Sequence, residues 1–434
     1  MNLTRRYFLQ TTGAVAAYMG VSPVSALAGV ANARLKVGRV TSGKTLVVVF
    51  LRGGADGLNL VLPFADPHYA KLRPSIAIPA PGKAGGAIDL DGAFGLHPRL
   101  GALKEFFDSG LARAAHAVGY DKNTRSHFEE QDVWETGIIG NTVNSDGWVN
   151  RHLATSAGNG PIRAVAIGDS LPRILHGKAP AYAIRGVEDL SLPGRGRDRE
   201  AIKAGLEHAY CTHAPKPSSG QVSDAKELLS QAVGATLEGI EQLKPLVANE
   251  YRPAVPYPET GIGRQLMQVA RLIKAGVGVE VAEVDYGGWD THQNQGQGAA
   301  GEFANLAGNL GEALAAFTRD LGDKMSDVLV VTLTDFGRTA AENGTSGTDH
   351  GWANCMLLIG GPVAAATKQG NSAKVLTKWP GLAPDQLHEK RDLLHTTDFR
   401  DVIAECVRVH LGNGNLEAVL PSHECKPVGL IASA

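Results

Sequence analysis

Residues 328–352, VLVVTLTDFGRTAAENGTSGTDHGW, decide how the rest of the chain reads. Val328 to Leu333 is an unbroken apolar and β-branched run, the pattern of a strand buried on both faces rather than one with a wet side. Asp335 follows at once, and then a loop punctuated by Gly337, Gly344, Gly347 and Gly351 that carries Arg338, Asp349 and His350. In open α/β sheets ligands bind beyond the carboxyl ends of the strands. A carboxylate at a strand end, with an arginine and an Asp-His pair in the next loop, suits a metal or an anion. The competing reading is a loop whose Asp and Asn residues cap turns and whose arginine pairs locally.

Working outward, similar apolar runs recur at Thr45–Leu51, Leu111–Val118, Arg163–Ile167, Val279–Val284 and Cys355–Ile359. Helical periodicity separates them, from Leu96 to Gly110, at Ser223–Leu243, at Gly263–Ala275, over Phe303–Leu321 and at Thr397–Leu411. Strands alternating with helices predict an α/β fold, a doubly wound, mostly parallel (mixed) sheet with helices on both faces. The Pro63–Pro81 stretch reads as irregular, and residues 185–219 as a polar surface insertion.

Four of the predicted strand ends carry titratable groups: Arg52 and Asp56; Ser126 and His127; Asp290 and His292; Asp335, Arg338 and His350. Histidines and carboxylates converging from separate strands are what a divalent metal needs, and Arg52 and Arg338 could hold an oxyanion through two parallel hydrogen bonds. Ser126, followed by Glu129, also fits a helix N-cap with its capping-box partner. The 42 basic and 44 acidic residues nearly cancel, so charge makes no case for nucleic acid or an anionic membrane surface. The four cysteines show no metal-ligand spacing. Cys406 and Cys425 are the pair expected to form a disulfide, and Cys355 reads as a buried small hydrophobe.

At the N-terminus, Arg5-Arg6-Tyr7-Phe8-Leu9 precedes an apolar segment from about Thr12 to Val21 and then Ala26-Leu27-Ala28. Twin arginines ahead of a short apolar stretch and small residues read as a twin-arginine signal peptide over residues 1–28. The expectation is a periplasmic or secreted protein, with residues 29–434 as a single domain and no membrane span once the signal is removed.

In LVVVFLRGGADGLN (46–59), GLHPRL (95–100), SHFEEQDVWETG (126–137), GGWDTHQNQ (287–295) and TDFGRT…GTDHGW (334–352), the chain resembles the exported bacterial family called "domain of unknown function 1501". That family looks related to the alkaline phosphatase and sulfatase superfamily. The resemblance implies an alkaline-phosphatase-like mixed sheet with metal ligands at strand ends, and hydrolysis of phosphate or sulfate esters with metals stabilising the attacking and leaving oxygens. By that resemblance Asp290 and His292 look like the Asp/His strand-end ligands, at shorter spacing. Asp335 matches the aspartate of an Asp-His pair whose histidine is replaced by Phe336, and His350 looks like the later histidine ligand. Arg52 stands where the superfamily ends its first strand with aspartate, and Asp56 is displaced from that place. The nucleophile's position falls near His127, with Ser126 beside it.

Two functional readings follow, beside that of a purely structural secreted protein. One is a hydrolase of small anionic esters with a reduced metal site, in which a divalent ion (Zn, Mn or Ca) is held by Asp290, His292, Asp335, His350 and Asp56. Ser126 is then the nucleophile, with His127 a catalytic residue beside it, and Arg52 and Arg338 form the oxyanion clamp. The other is a non-catalytic binding or assembly protein on a hydrolase-like fold, working with an exported protein partner. Export is checked by replacing Arg5 and Arg6 with lysine and following the precursor by fractionation. It is expected to stay in the cytoplasm, and normal accumulation in the periplasm would refute the twin-arginine reading.

Overall fold

The computed structural model describes residues 43–140, 142–143, 145–158, 162–187, 197–206 and 250–433. Residues 1–28, Cys211, the helix predicted at Ser223–Leu243 and most of the predicted 185–219 insertion lie outside them. Besides a small three-stranded sheet (Val61–Leu62, Ile88–Asp89 and Gly95–Leu96), the strands are, in chain order, β1 (Thr45–Leu51), β2 (Ala112–Gly119), β3 (Ala164–Ile167), β4 (Tyr182–Ile184), β5 (Val281–Tyr286), β6 (Val328–Thr334), β7 (Asn354–Gly360), β8 (Val375–Leu376) and β9 (Thr397–Asp398). The helices are α1 (His127–Thr136), α2 (Gly261–Ala275), α3 (Glu302–Leu321), α4 (Gly361–Lys368) and α5 (Phe399–Glu405).

The chain divides into two compact units. The larger comprises residues 44–143, 253–270 and 283–434. Its strands lie in the order β8-β2-β7-β6-β1-β5, and β9 also pairs with β2. β1 and β6 are parallel in unbroken register from Thr45↔Val328 to Leu51↔Thr334. β8 and β9 are parallel to β2, whereas β7 runs antiparallel to both β2 and β6. This is the mixed, mostly parallel sheet that the alternation of elements predicts, with α1 against β6, α4 against β6 and β7, and α5 against β9. Every residue of β1, β6 and β7 is buried, which is why these strands read as continuous apolar runs. Removing each such Val, Leu or Ile side chain from water contributes about 1.5–3 kcal/mol.

In the smaller unit, which holds the described residues of 144–252 and 271–282, β3 and β4 pair in parallel. The Arg163 guanidinium donates to both carboxylate oxygens of Glu280, at 2.9 and 2.7 Å. Among the described residues no helix is long and apolar enough to cross a membrane.

Three local expectations are corrected. Thr397–Leu411 is not one helix: Thr397 and Asp398 first pair with β2, Asp398 caps α5 by accepting from the Arg400 N–H at 2.9 Å, and Cys406–His410 winds as a π-helix. Cys406 and Cys425 are free thiols, Cys406 buried and Cys425 half-buried. Cys406 belongs to the helical core, while the Cys425 thiol turns to the His423 carbonyl. Ser126 starts α1 but makes no capping bond with its side chain. The carboxylate that reaches back is Glu130, which accepts from the Thr124 N–H and hydroxyl at 2.7 and 2.8 Å and from the Tyr120 hydroxyl at 2.5 Å.

Candidate metal centre

The in-register pairing of β1 and β6 delivers Arg52 and Asp335 side by side as the strands end. The Arg52 N–H donates to the Tyr286 carbonyl at 3.0 Å, so β5 ends at the same level and hands on to Asp290. The turn after β1 must pass very close to its neighbours. Gly53 (φ 116°) donates its N–H to Asp335 Oδ1 at 3.1 Å, and a Cβ there would stand 2.7 Å from the Asp290 nitrogen. At Gly54 (φ 68°) a Cβ would meet the Phe336 ring at 2.5 Å. Both positions therefore need glycine.

Helix α1 presents His127, Gln131 and Glu135 on one face, four residues apart. All three reach the strand ends. His127 Nδ1 lies 2.6 Å from Asp335 Oδ2, Gln131 donates to the same oxygen at 2.9 Å, and Glu135 receives the Arg52 fork with both oxygens at 3.1 Å. Gln131 and Glu135 are site residues that the sequence reading missed, although their spacing from His127 was the available signal.

Asp290 is the centre of the cluster. Its Oδ1 lies 3.0 Å from His292 Nε2 and 3.2 Å from His350 Nε2, and its Oδ2 lies 3.4 Å from His127 Nε2. His292 Nε2 and His350 Nε2 are themselves 3.0 Å apart. Each ring's other nitrogen faces an oxygen. His127 Nδ1 meets Asp335, His350 Nδ1 meets the Arg125 carbonyl at 2.8 Å, and His292 Nδ1 meets Asp349 Oδ1 at 3.2 Å. A carbonyl can only accept, so neutral His350 carries its hydrogen on Nδ1, and the carboxylates select the same tautomer for the other two. Three Nε2 lone pairs then point at one carboxylate. His127 Nε2 is buried without any hydrogen-bond partner.

Lone pairs of two imidazoles held at 3.0 Å repel unless a cation or a shared proton lies between them. A tetrahedral ion with bonds of about 2.0–2.1 Å sets its ligand atoms about 3.3–3.4 Å apart, close to the 3.0, 3.0 and 3.2 Å that separate Asp290 Oδ1, His292 Nε2 and His350 Nε2. The ligand atoms of His127, Asp290 and His350 all lie within 4.8 Å of one another, a group able to hold a metal ion.

The surroundings hold these groups in place. Phe336, fully buried, packs against the rings of His127 and His350 at centroid distances of 4.7 and 4.5 Å. Arg125 aims its carbonyl at His350 from a left-handed backbone (φ 60°), and Asn294 and Ser346 share that strain at φ 49° and 55°. Such residues cost about 1–3 kcal/mol each and persist where the surroundings over-determine them.

The expected site residues sort differently from the sequence reading. His127, Asp290, His292 and His350 come together. Asp335 stands behind His127 as its orienting carboxylate, with both oxygens engaged. Asp56 is buried, paired with Arg73 at 2.6 Å and with Gln295 at 2.7 Å, and faces none of the histidines. Arg338 does not fit an oxyanion clamp: its side chain is 0 % exposed, and it donates to the carbonyls of Gly53, Gly54, Trp289 and Thr348 and, at 2.5 Å, to Asp290 Oδ1. It is the strut that anchors Asp290. The Arg52 fork is likewise spent on Glu135 and, at 2.6 Å, on Asp285. The Ser126 side chain makes no bond to any of them.

Burial would push the Asp290 carboxyl up, but a hydrogen bond from His350, available only when its Nε2 carries a proton, together with the Arg338 charge and hydrogen bond holds it well below the usual carboxylate range. Burial opposes ionisation of Asp335 too, and hydrogen bonds from His127, Gln131 and Gly53 outweigh it, so that carboxyl is also depressed. The Asp335 hydrogen bond raises the His127 imidazole against the effect of burial. The histidine's contribution to stability is complete below its ordinary value and lost as pH rises through the raised one. The aspartate's is complete above its ordinary value and lost as pH falls through the depressed one. Without metal this pair therefore stabilises most between about pH 4 and 6.5.

Fold and site together define an α/β chain with an imidazole–carboxylate cluster at the carboxyl end of its sheet. The chain belongs to the family described as protein of unknown function (DUF1501), whose match covers residues 197–413, half of its length. No curated protein matches it. Among solved structures it is similar to the PsFucS1 sulfatase from Pseudoalteromonas sp., at 13% identity and a TM-score of 0.29, over 77% of this chain. The chain spans 65% of that sulfatase's length.

Asp335→Asn tests the orienting role. It keeps the side chain's shape and removes the charge behind His127, and is expected to weaken zinc binding about 10–100-fold in a competition titration while the chain still folds. In the parent, zinc affinity is expected to fall as pH drops through the histidine range, because only the neutral ring offers Nε2. Parent-like zinc affinity in Asp335→Asn would remove the orienting role.

Proposed function

We propose that the chain is a single-metal hydrolase of small phosphate or sulfate esters. The observation that supports this reading is the convergence of three Nε2 lone pairs, each fixed by an oxygen at Nδ1, on the Asp290 carboxylate. His127, Asp290, His292 and His350 would hold the ion. Three imidazole nitrogens and a carboxylate suit zinc and suit calcium poorly, since calcium takes six to eight oxygens. A bound divalent ion would polarise an ester oxygen and lower the pKa of water. The chain's own residues do the positioning. Asp335, Asp349 and the Arg125 carbonyl fix the ring tautomers, Arg338 anchors Asp290, and Phe336 sets the planes of two rings.

A second reading, a binding or assembly protein that has left catalysis behind, has its own support. Both arginines expected to clamp an oxyanion are committed to partners within the protein, and the Ser126 side chain makes no hydrogen bond to the cluster. Export by the twin-arginine route to the periplasm belongs to either reading, and an exported protein partner to the second.

Metal analysis and ester turnover on the purified full chain separate the two. The hydrolase reading expects about one zinc per chain and hydrolysis of an aryl phosphate or aryl sulfate, with both lost in Asp290→Asn and His350→Ala. Stoichiometric zinc without turnover would favour the binding reading, and turnover that survives Asp290→Asn would overturn the metal assignment.

A further inference from the structure

A cavity of about 210 Å³ adjoins the histidine cluster, lined among others by Thr339, Asn343, Asp349, Leu387, Lys390 and Arg391. It connects to the cluster twice. Asp349 Oδ1 meets His292 Nδ1 at 3.2 Å and accepts from Asn343 at 3.0 Å, and Arg391 donates to the His350 carbonyl at 2.5 Å.

The charges on its wall are unequally used. Glu342, the cavity's other carboxylate, is occupied by the Ser75 N–H and hydroxyl and the Ile76 N–H. The Lys390 ammonium has neither a hydrogen bond nor an ion pair among the described residues. Arg391 spends one nitrogen on the His350 carbonyl and reaches Asp392 only at 3.6 Å. Two cations therefore face a space in which the only carboxylate oxygen left over is Asp349 Oδ2.

The backbone that presents them is strained. Glu389 and Lys390 are consecutive left-handed residues, at φ 51° and 56°, and neither is glycine. The turn is held by the Asp392 N–H on the His388 carbonyl at 3.0 Å, the His388 N–H on the Asp392 carbonyl at 2.9 Å, and Arg125, which pairs with Glu389 at 2.6 Å and Asp392 at 2.7 Å. The same Arg125 gives its carbonyl to His350. Strain maintained by this many contacts points to a use.

We propose that this cavity is an anion subsite, in which Lys390 and Arg391 pair with a sulfate, phosphate or carboxylate group while Asp349 Oδ2 accepts from a neighbouring hydroxyl. The ligand class is a small anionic saccharide or hydroxy acid. This deepens the hydrolase reading and rests on it for the ester set at the histidines, whereas the anion pairing stands without a metal.

Calorimetric titration of the full chain with inorganic sulfate, and then with a monosaccharide sulfate, tests it, with zinc content measured in every variant. Lys390→Gln is expected to weaken sulfate binding about ten-fold and Lys390→Glu to abolish it, both at parental zinc content. The monosaccharide sulfate is expected to bind more tightly than the bare ion. Asp290→Asn is expected to lose zinc and keep sulfate affinity. Unchanged affinity in Lys390→Glu would overturn the subsite. Sulfate binding lost in Asp290→Asn but not in the Lys390 variants would place the anion on the metal, overturning the subsite and leaving the metal reading intact. Zinc absent from the parent, with sulfate binding still dependent on Lys390, would sink the metal reading and leave the subsite standing. Equal affinity for the two probes would remove the hydroxyl contact at Asp349.

Discussion

The parallel register between β1 and β6 is the constraint on which the rest depends. With Leu51 opposite Thr334, the two chains leave the sheet abreast, and every later contact inherits that alignment. The Thr334 hydroxyl donates to the Leu51 carbonyl at 2.7 Å and accepts from the Ala55 N–H at 2.9 Å, so the two exits are stitched together immediately beyond the ladder. Asn354, at the start of the antiparallel β7, donates to the Ala55 and Phe336 carbonyls at 2.6 and 2.7 Å. A slip of one residue would turn each side chain to the other face, and Arg52 and Asp335 would no longer reach α1 together.

From that base the site is built by struts more than by the groups that would touch a ligand. Arg338 illustrates the economy of the arrangement. A single buried guanidinium ties the turn after β1, the turn after β5 and the loop before His350 to Asp290. Placing such a charge in the interior is costly unless its donors are satisfied, and here four carbonyls and a carboxylate satisfy them. Arg52 plays the matching part on the other flank, between α1 and β5.

Much of the fold was legible in the sequence because β1, β6 and β7 are buried on both faces, which leaves uninterrupted apolar runs whose ends differ from prediction by a residue at most. The antiparallel sense of β7 was not legible, since a buried run looks the same in either direction. Within the site, the residue types and their strand-end placement could be read, but the roles could not. Whether Asp335 or His127 faces the centre depends on how α1 lies against β6, and a loop-plus-strand pattern does not carry that information. The Cys406–Cys425 pairing failed for a related reason: proximity in sequence says nothing about a thiol already inside a helical core.

Phe336 is the residue on which comparison by resemblance and reading by geometry diverge most. As a substitution for a histidine it looks like a loss. In the structure it is the buried plate against which His127 and His350 are set, and Gly54 is left without a side chain to make room for it.

The central claim, that the three rings offer Nε2 to one ion beside Asp290, is tested most directly by zinc-edge X-ray absorption on the purified, zinc-loaded chain. The account predicts a nitrogen and oxygen shell at about 2.0–2.1 Å with the outer scattering of three imidazoles, and one imidazole fewer in His127→Ala. An oxygen-only shell, or a spectrum that His127→Ala leaves unchanged, would contradict it.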